Sequence, residues 1–144
     1  MSDPGAKRPQ SVLFMCRQNA IRSPMAEGLA KHYFGRSLYV QSAGVRPGDA
    51  DSFAIASMDE AGLDMSRHRP RSLEDIEDLG FDLIVTLAPE AHHRALELTR
   101  SLAVEVEYWP TPDPTAETGN REQRMQAYRE VRDMLKKRII DRFR

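Results

Sequence analysis

An unbroken apolar run, Val12-Leu13-Phe14-Met15, ends at Cys16, and a helical pattern opens almost at once at Ser23-Pro24. A strand that is apolar at successive positions suits burial on both faces, the condition of a parallel sheet. Parallel neighbours need a crossover, usually a helix. The crossover follows: Met25, Leu29, Tyr33 and Ala26, Ala30, Phe34 recur at helical spacing, with Pro24 in the first turn and Gly35 as the stop. The same alternation then repeats. Leu38-Tyr39-Val40 reads as a strand closed by Ser42-Ala43-Gly44, and Phe53 to Ala61 as a helix ended by Gly62. A strand over Asp82–Leu87 precedes a helix from Pro89 to Arg100, a strand from Val104 to Tyr108, and a last helix from about Asn120 to Phe143. Met125, Tyr128, Val131, Leu135 and Ile139 share one face of that last helix. This pattern predicts a three-layer α/β domain over residues 11–144, a four-stranded parallel sheet with helices on both faces. The first ten residues, polar with two prolines and a glycine, are expected to fray.

With 40% hydrophobic residues among 144, the chain can bury a continuous core. Its 21 basic and 22 acidic residues nearly cancel, which argues against a basic nucleic-acid-binding surface. No run approaches the ~20 apolar residues that span a bilayer, and Val12–Met15 is too short for a signal peptide. The reading is a cytoplasmic protein with neither nucleic-acid nor membrane partners. Cys16 is the sole cysteine, so no intrachain disulfide or thiolate cluster can form. The adjacent His92 and His93 face different directions on a helix. No metal and no cofactor are expected.

Ligands of such sheets bind at the carboxyl ends of the strands. There lie Cys16, Arg17, Gln18, Asn19, Ala20, Ile21 and Arg22. A short loop entering a helix turns its N–H groups into an anion cradle. A cysteine at its start and an arginine at its end then flank the same anion. A cationic cradle favours the thiolate, the reactive form of a cysteine; Ser23 can donate a hydrogen bond to it, and a guanidinium can fork onto two oxygens. The plainer alternative is a small apolar cysteine at a strand end, but Arg22 and Ser23 have no packing reason to stand beside one.

Cys16, Asn19 and Arg22-Ser23-Pro24-Met25-Ala26-Glu27, with Ser42-Ala43-Gly44, His68 and Asp113-Pro114 in order, resemble the low-molecular-weight protein tyrosine phosphatase superfamily. The resemblance covers nearly the whole chain. It implies that Cys16 attacks phosphorus, that Arg22 and the loop amides hold the equatorial oxygens, and that Asp113 protonates the leaving oxygen. It also implies that Asn19, in a left-handed conformation, bridges Ser23, Ser42 and His68. The competing reading of Asp113-Pro114 is a plain turn.

Three departures bear on activity. Gln18 replaces a usual glycine, which is expected to strain or re-aim the loop; Ile21 replaces a frequent second cysteine; and Thr115-Ala116 stand where tyrosine phosphatases place aromatics. The Val-Thr-Leu strand and Trp109-x3-Asp113-Pro114-x-Ala116 resemble the arsenate reductase branch, whose two further cysteines fall at Ala88 and Ala95. The leading expectation is a cysteine-dependent phosphatase that hydrolyses phosphotyrosine or related phosphomonoesters, on a phosphorylated protein or a small molecule, through a thiophosphoryl-cysteine intermediate. The alternatives are a single-cysteine arsenate reductase partnered by a low-molecular-weight thiol or thiol reductant, and a non-catalytic phosphate-binding module. The Arg67–Arg71 patch reads either as solvated surface or as favouring acidic substrates.

Overall fold

The computed structural model describes residues 8–144. Four strands, β1 (Ser11–Cys16), β2 (Tyr39–Gly44), β3 (Leu83–Thr86) and β4 (Glu105–Tyr108), alternate with helices α1 (Arg22–Phe34), α2 (Ser52–Glu60), α3 (Pro89–Leu98) and α4 (Arg121–Phe143). Short 3-10 turns lie at Leu73–Asp75 and Pro114–Ala116. All strand pairs are parallel, in the order β2-β1-β3-β4.

Strand periodicity divides β1 between two layers. Val12, Phe14 and Cys16 face α1, α2 and α4, where Phe14 meets Trp109 and Phe143 edge-on at 6.0 and 6.4 Å. Leu13 and Met15 face the opposite layer, built on Ala91, Ala95 and Leu98 of α3 with Leu73. This is the expected three-layer α/β arrangement.

Two boundaries differ in an informative way. The first ten residues were expected to fray; residues 1–7 lie outside the described part, and Gln10 is held. Its N–H donates to Asp82 at 2.8 Å and its carbonyl accepts from Tyr39 at 2.9 Å. The second strand does not close at Val40. It pairs with β1 from Ser11↔Tyr39 to Cys16↔Gly44, carrying the buried Ser42 to the rim of the sheet. Other helix ends move by one or two residues, within the usual fraying of such limits. Gly62 follows α2 with φ +78°, the left-handed stop that glycine adopts without penalty.

From β1 the chain goes to β2 on one side, then crosses to β3 and β4 on the other. Such a reversal opens a crevice at the carboxyl ends of the strands, and the Cys16 loop sits in it.

Candidate active site

The loop from Arg17 to Ile21 is gripped from outside through its carbonyls. Cys16 O, Arg17 O and Gln18 O accept from the N–H groups of Val45, Arg46 and Gly48 at 3.1, 3.1 and 2.9 Å. Asn19 O accepts from the His68 ring Nε2 at 2.9 Å. A trans peptide points its N–H opposite its carbonyl. Four outward carbonyls therefore send the N–H groups of Arg17, Gln18, Asn19 and Ala20 inward, and none of these has a backbone partner among the described residues. That inward ring is an anion cradle at the head of α1. The grip requires Gly44: a Cβ there would lie 2.7 Å from Arg46 O and 2.8 Å from both Asn19 N and Gln18 C.

Asn19 is the fully buried pin of the loop, with φ 55°. Its Nδ2 donates to Ser23 Oγ and Ser42 Oγ, each at 2.9 Å, and its Oδ1 accepts from the Arg71 N–H at 3.0 Å. Ser23 Oγ lies 2.9 Å from the Cys16 sulfur. The Ser42 hydroxyl donates a hydrogen bond to Glu27, which also pairs with Lys31. Asn19, Ser23, Ser42 and His68 thus converge on one loop.

Cys16 is 3% exposed, at the floor of an open pocket of about 170 Å³ lined by Cys16, Arg17, Gln18, Ala20, Ile21, Arg22, Asp113 and Thr115. Arg22, 8% exposed, donates from Nη1 to Thr111 O at 3.0 Å, and Thr111 N–H in turn bonds Leu87 O at 3.1 Å. The guanidinium thereby joins the loop to the segment that carries Asp113. One oxygen of Asp113, Oδ1, accepts from the Thr115 N–H at 2.9 Å and from its hydroxyl at 2.6 Å. Burial pushes this carboxyl up, but the two Thr115 bonds and the charges of Arg22 and Arg17 outweigh it and hold it below the ordinary carboxylate range. Asp113 is therefore both a turn residue and part of the pocket wall.

The strain expected at Gln18 is absent: Asn19 is the only non-glycine with positive φ among the described residues. Room for Gln18 comes from Gly48, where a Cβ would meet the Gln18 side chain at 2.8 Å. Ile21 packs against the core beside α1. Sequence reasoning did not single out Arg71 or Glu27 as supports. Arg71 bonds Asn19 through its backbone, and its Nε donates to Ser42 O at 3.0 Å. It is thus no free member of a surface patch. Only a polar residue one turn after Ser23 could have signalled Glu27. At the rim, Glu90 pairs with both Arg17 and Arg46, at 3.0 and 3.2 Å.

A lone cysteine beneath inward amides and a tethered arginine, at the switch point of a parallel sheet, is the arrangement of a cysteine-loop protein whose cradle suits an oxyanion. Residues 11–143 match the model of the low molecular weight phosphotyrosine protein phosphatases, and the chain belongs to that family. It is 35% identical over 129 residues to an arsenate reductase of Shouchella clausii, covering 89% of this chain and 91% of the relative. Among solved structures it is similar to an arsenate reductase in the phosphate-binding state, at 27% identity and TM-score 0.71 over 92% of this chain and 95% of the other. It is equally similar to the low molecular weight protein tyrosine phosphatase of T. tengcongensis, at 27% identity and TM-score 0.72 over 92% and 96% of the two chains.

Proposed function

We propose that this protein reduces arsenate, with Cys16 as nucleophile and a small external thiol as reductant. The observation that carries the reading is a complete oxyanion cradle whose pocket has no aromatic lining residue. It suits a bare tetrahedral anion better than a phenyl ester. The 35% identical arsenate reductase reported above supports the same substrate.

The Cys16 thiolate attacks arsenic, held by the loop amides and by Arg22. One As–O bond breaks, and the departing hydroxide leaves as water with a proton from Asp113. Ala88 and Ala95 are buried and carry no thiol, so the second sulfur must come from outside. An external thiolate attacks the Cys16 sulfur, a disulfide forms between them, and the S–As electron pair stays on arsenic, giving arsenite. A second thiol then releases Cys16. Two thiols supply the two electrons. Arg17, Gln18, Asn19, Ala20 and Ile21 line or shape the cradle in this scheme, while Ser23 supports the thiolate and Ser42 and His68 brace Asn19.

The presence of Asp113 on the pocket wall favours a second reading, hydrolysis of phosphomonoesters through a thiophosphoryl-cysteine, since an ester oxygen also needs a proton to leave. Incubation with arsenate and a supplied small thiol separates the two. Expected is one arsenite per two thiols consumed, abolished in Cys16→Ser although that variant still binds arsenate. Hydrolysis of para-nitrophenyl phosphate with no arsenite from any thiol would replace the arsenate reading with the phosphatase one.

A further inference from the structure

We propose that Phe53, Arg121 and Arg124 form the docking platform for a carboxylate-bearing small thiol, the reductant that releases Cys16. The proposal rests on the arsenate reading for its role, but its geometry stands apart from it. Arg121 and Arg124 lie one turn apart at the start of α4, and both guanidinium groups cover the Phe53 ring, 5.4 and 4.7 Å from its centroid. Neither has a carboxylate partner among the described residues, whereas Arg129 and Arg132 of the same helix both pair with Glu60. Phe53 stacks on Tyr128 at 5.3 Å, and Tyr128 is pinned through its hydroxyl to Asp51 at 3.0 Å, so the platform is rigid from below.

The helix that carries both arginines reaches the pocket wall. The α4 helix packs on the Pro114–Ala116 turn, whose Thr115 lines the pocket with Asp113. At the pocket itself Arg17, together with Arg46, shares the single carboxylate of Glu90. Glu90 is thus the one carboxylate paired with any of these four arginines among the described residues, although the whole chain carries a net charge of -1. Such a surplus of guanidinium groups concentrates anions, and a guanidinium forks onto a carboxylate. Cys16 is 3% exposed in a pocket of about 170 Å³, a space that suits a slender peptidic thiol.

A test that needs no arsenate reads docking alone. Cys16 is converted to its mixed disulfide with thionitrobenzoate, and release of that chromophore by attack of an incoming thiolate is followed with glutathione and with glutathione diester. The two share one thiol and differ in free carboxylates. Glutathione is expected to react about tenfold faster at low salt, the lower end of electrostatic rate enhancement. In the exposed double variant Arg121→Gln, Arg124→Gln, and in wild type at high salt, the ratio should fall toward one. Equal rates for the two thiols in wild type, or an unchanged ratio in the double variant, overturn the proposal. A preserved ratio in wild type with no arsenite from any thiol leaves the docking site standing and removes the arsenate reading instead.

Discussion

One non-glycine residue among those described has a positive φ, Asn19, and contacts from four residues (Ser23, Ser42, His68 and Arg71) hold it there. A left-handed residue persists only where its surroundings over-determine it, and here the surroundings are the supports of the Cys16 loop. In the arsenate reading proposed above, Asp113 is the proton donor to the departing oxygen. Folding favours its ionised form, so the stabilisation from Thr115 is present above the ordinary carboxylate range and is lost as pH falls through the lowered value. Activity has the opposite sign, because only protonated Asp113 can deliver a proton. The rate of Cys16 arsenylation, corrected for the ionisation of arsenate, is therefore expected to rise as pH falls toward the carboxylate range. In Asp113→Asn that rise should vanish and the rate should drop by about 10²–10⁴-fold. An unchanged pH slope in rapid-quench measurements would leave Asp113 as a turn residue only. Cys16, Arg22 and Ser23 were legible because unusual residue types stand close together on one short loop. Arg71 was not, because its contact with Asn19 runs through a backbone N–H, which any residue but proline supplies.

At the level of elements, the rim of β2 matters as much as the loop it faces. Leu38–Val40 announced a strand by its apolar pattern, but Gln41-Ser42-Ala43-Gly44 carry no such pattern. They pair with β1 because Ser42 finds hydrogen-bond partners inside and Gly44 lets the loop approach. That closeness was invisible in sequence, where Ser-Ala-Gly reads as a strand stop. A methyl group at Gly44 meets backbone atoms that cannot swing aside. Gly44→Ala is accordingly expected to cost about 1–3 kcal/mol in urea unfolding and to weaken phosphate binding by calorimetry. Unaltered affinity would mean that the Val45–Gly48 segment does not set the cradle. The helices were legible in the main, since their apolar spacing and their stops at Gly35 and Gly62 are local signals.

Across the whole molecule, the alternation of strands and helices was legible, whereas the order β2-β1-β3-β4 was not, because periodicity says which face is buried and nothing about which strand lies beside which. That order places the loop between two apolar layers, with supports drawn from β2, from the His68–Arg71 segment and from the Thr111–Thr115 segment. An anion that binds the cradle thus ties together parts distant in sequence, and it should stabilise the fold as a unit. With phosphate or arsenate at 100 times its dissociation constant, the gain is about 2.7 kcal/mol, read as a rise in Tm in wild type and Cys16→Ser alike. A flat Tm against anion concentration would mean that the cradle does not bind it. No described helix is long and apolar enough to cross a membrane. Ala88 and Ala95 are buried and stand where the resemblance to the arsenate reductase branch implies cysteines, which has a further consequence. A sulfenic acid formed at Cys16 by peroxide finds no second thiol within these 144 residues to condense with. Its repair depends on the surrounding pool of small thiols, and once that pool is depleted, oxidation proceeds to the sulfinic acid and the nucleophile is lost for good.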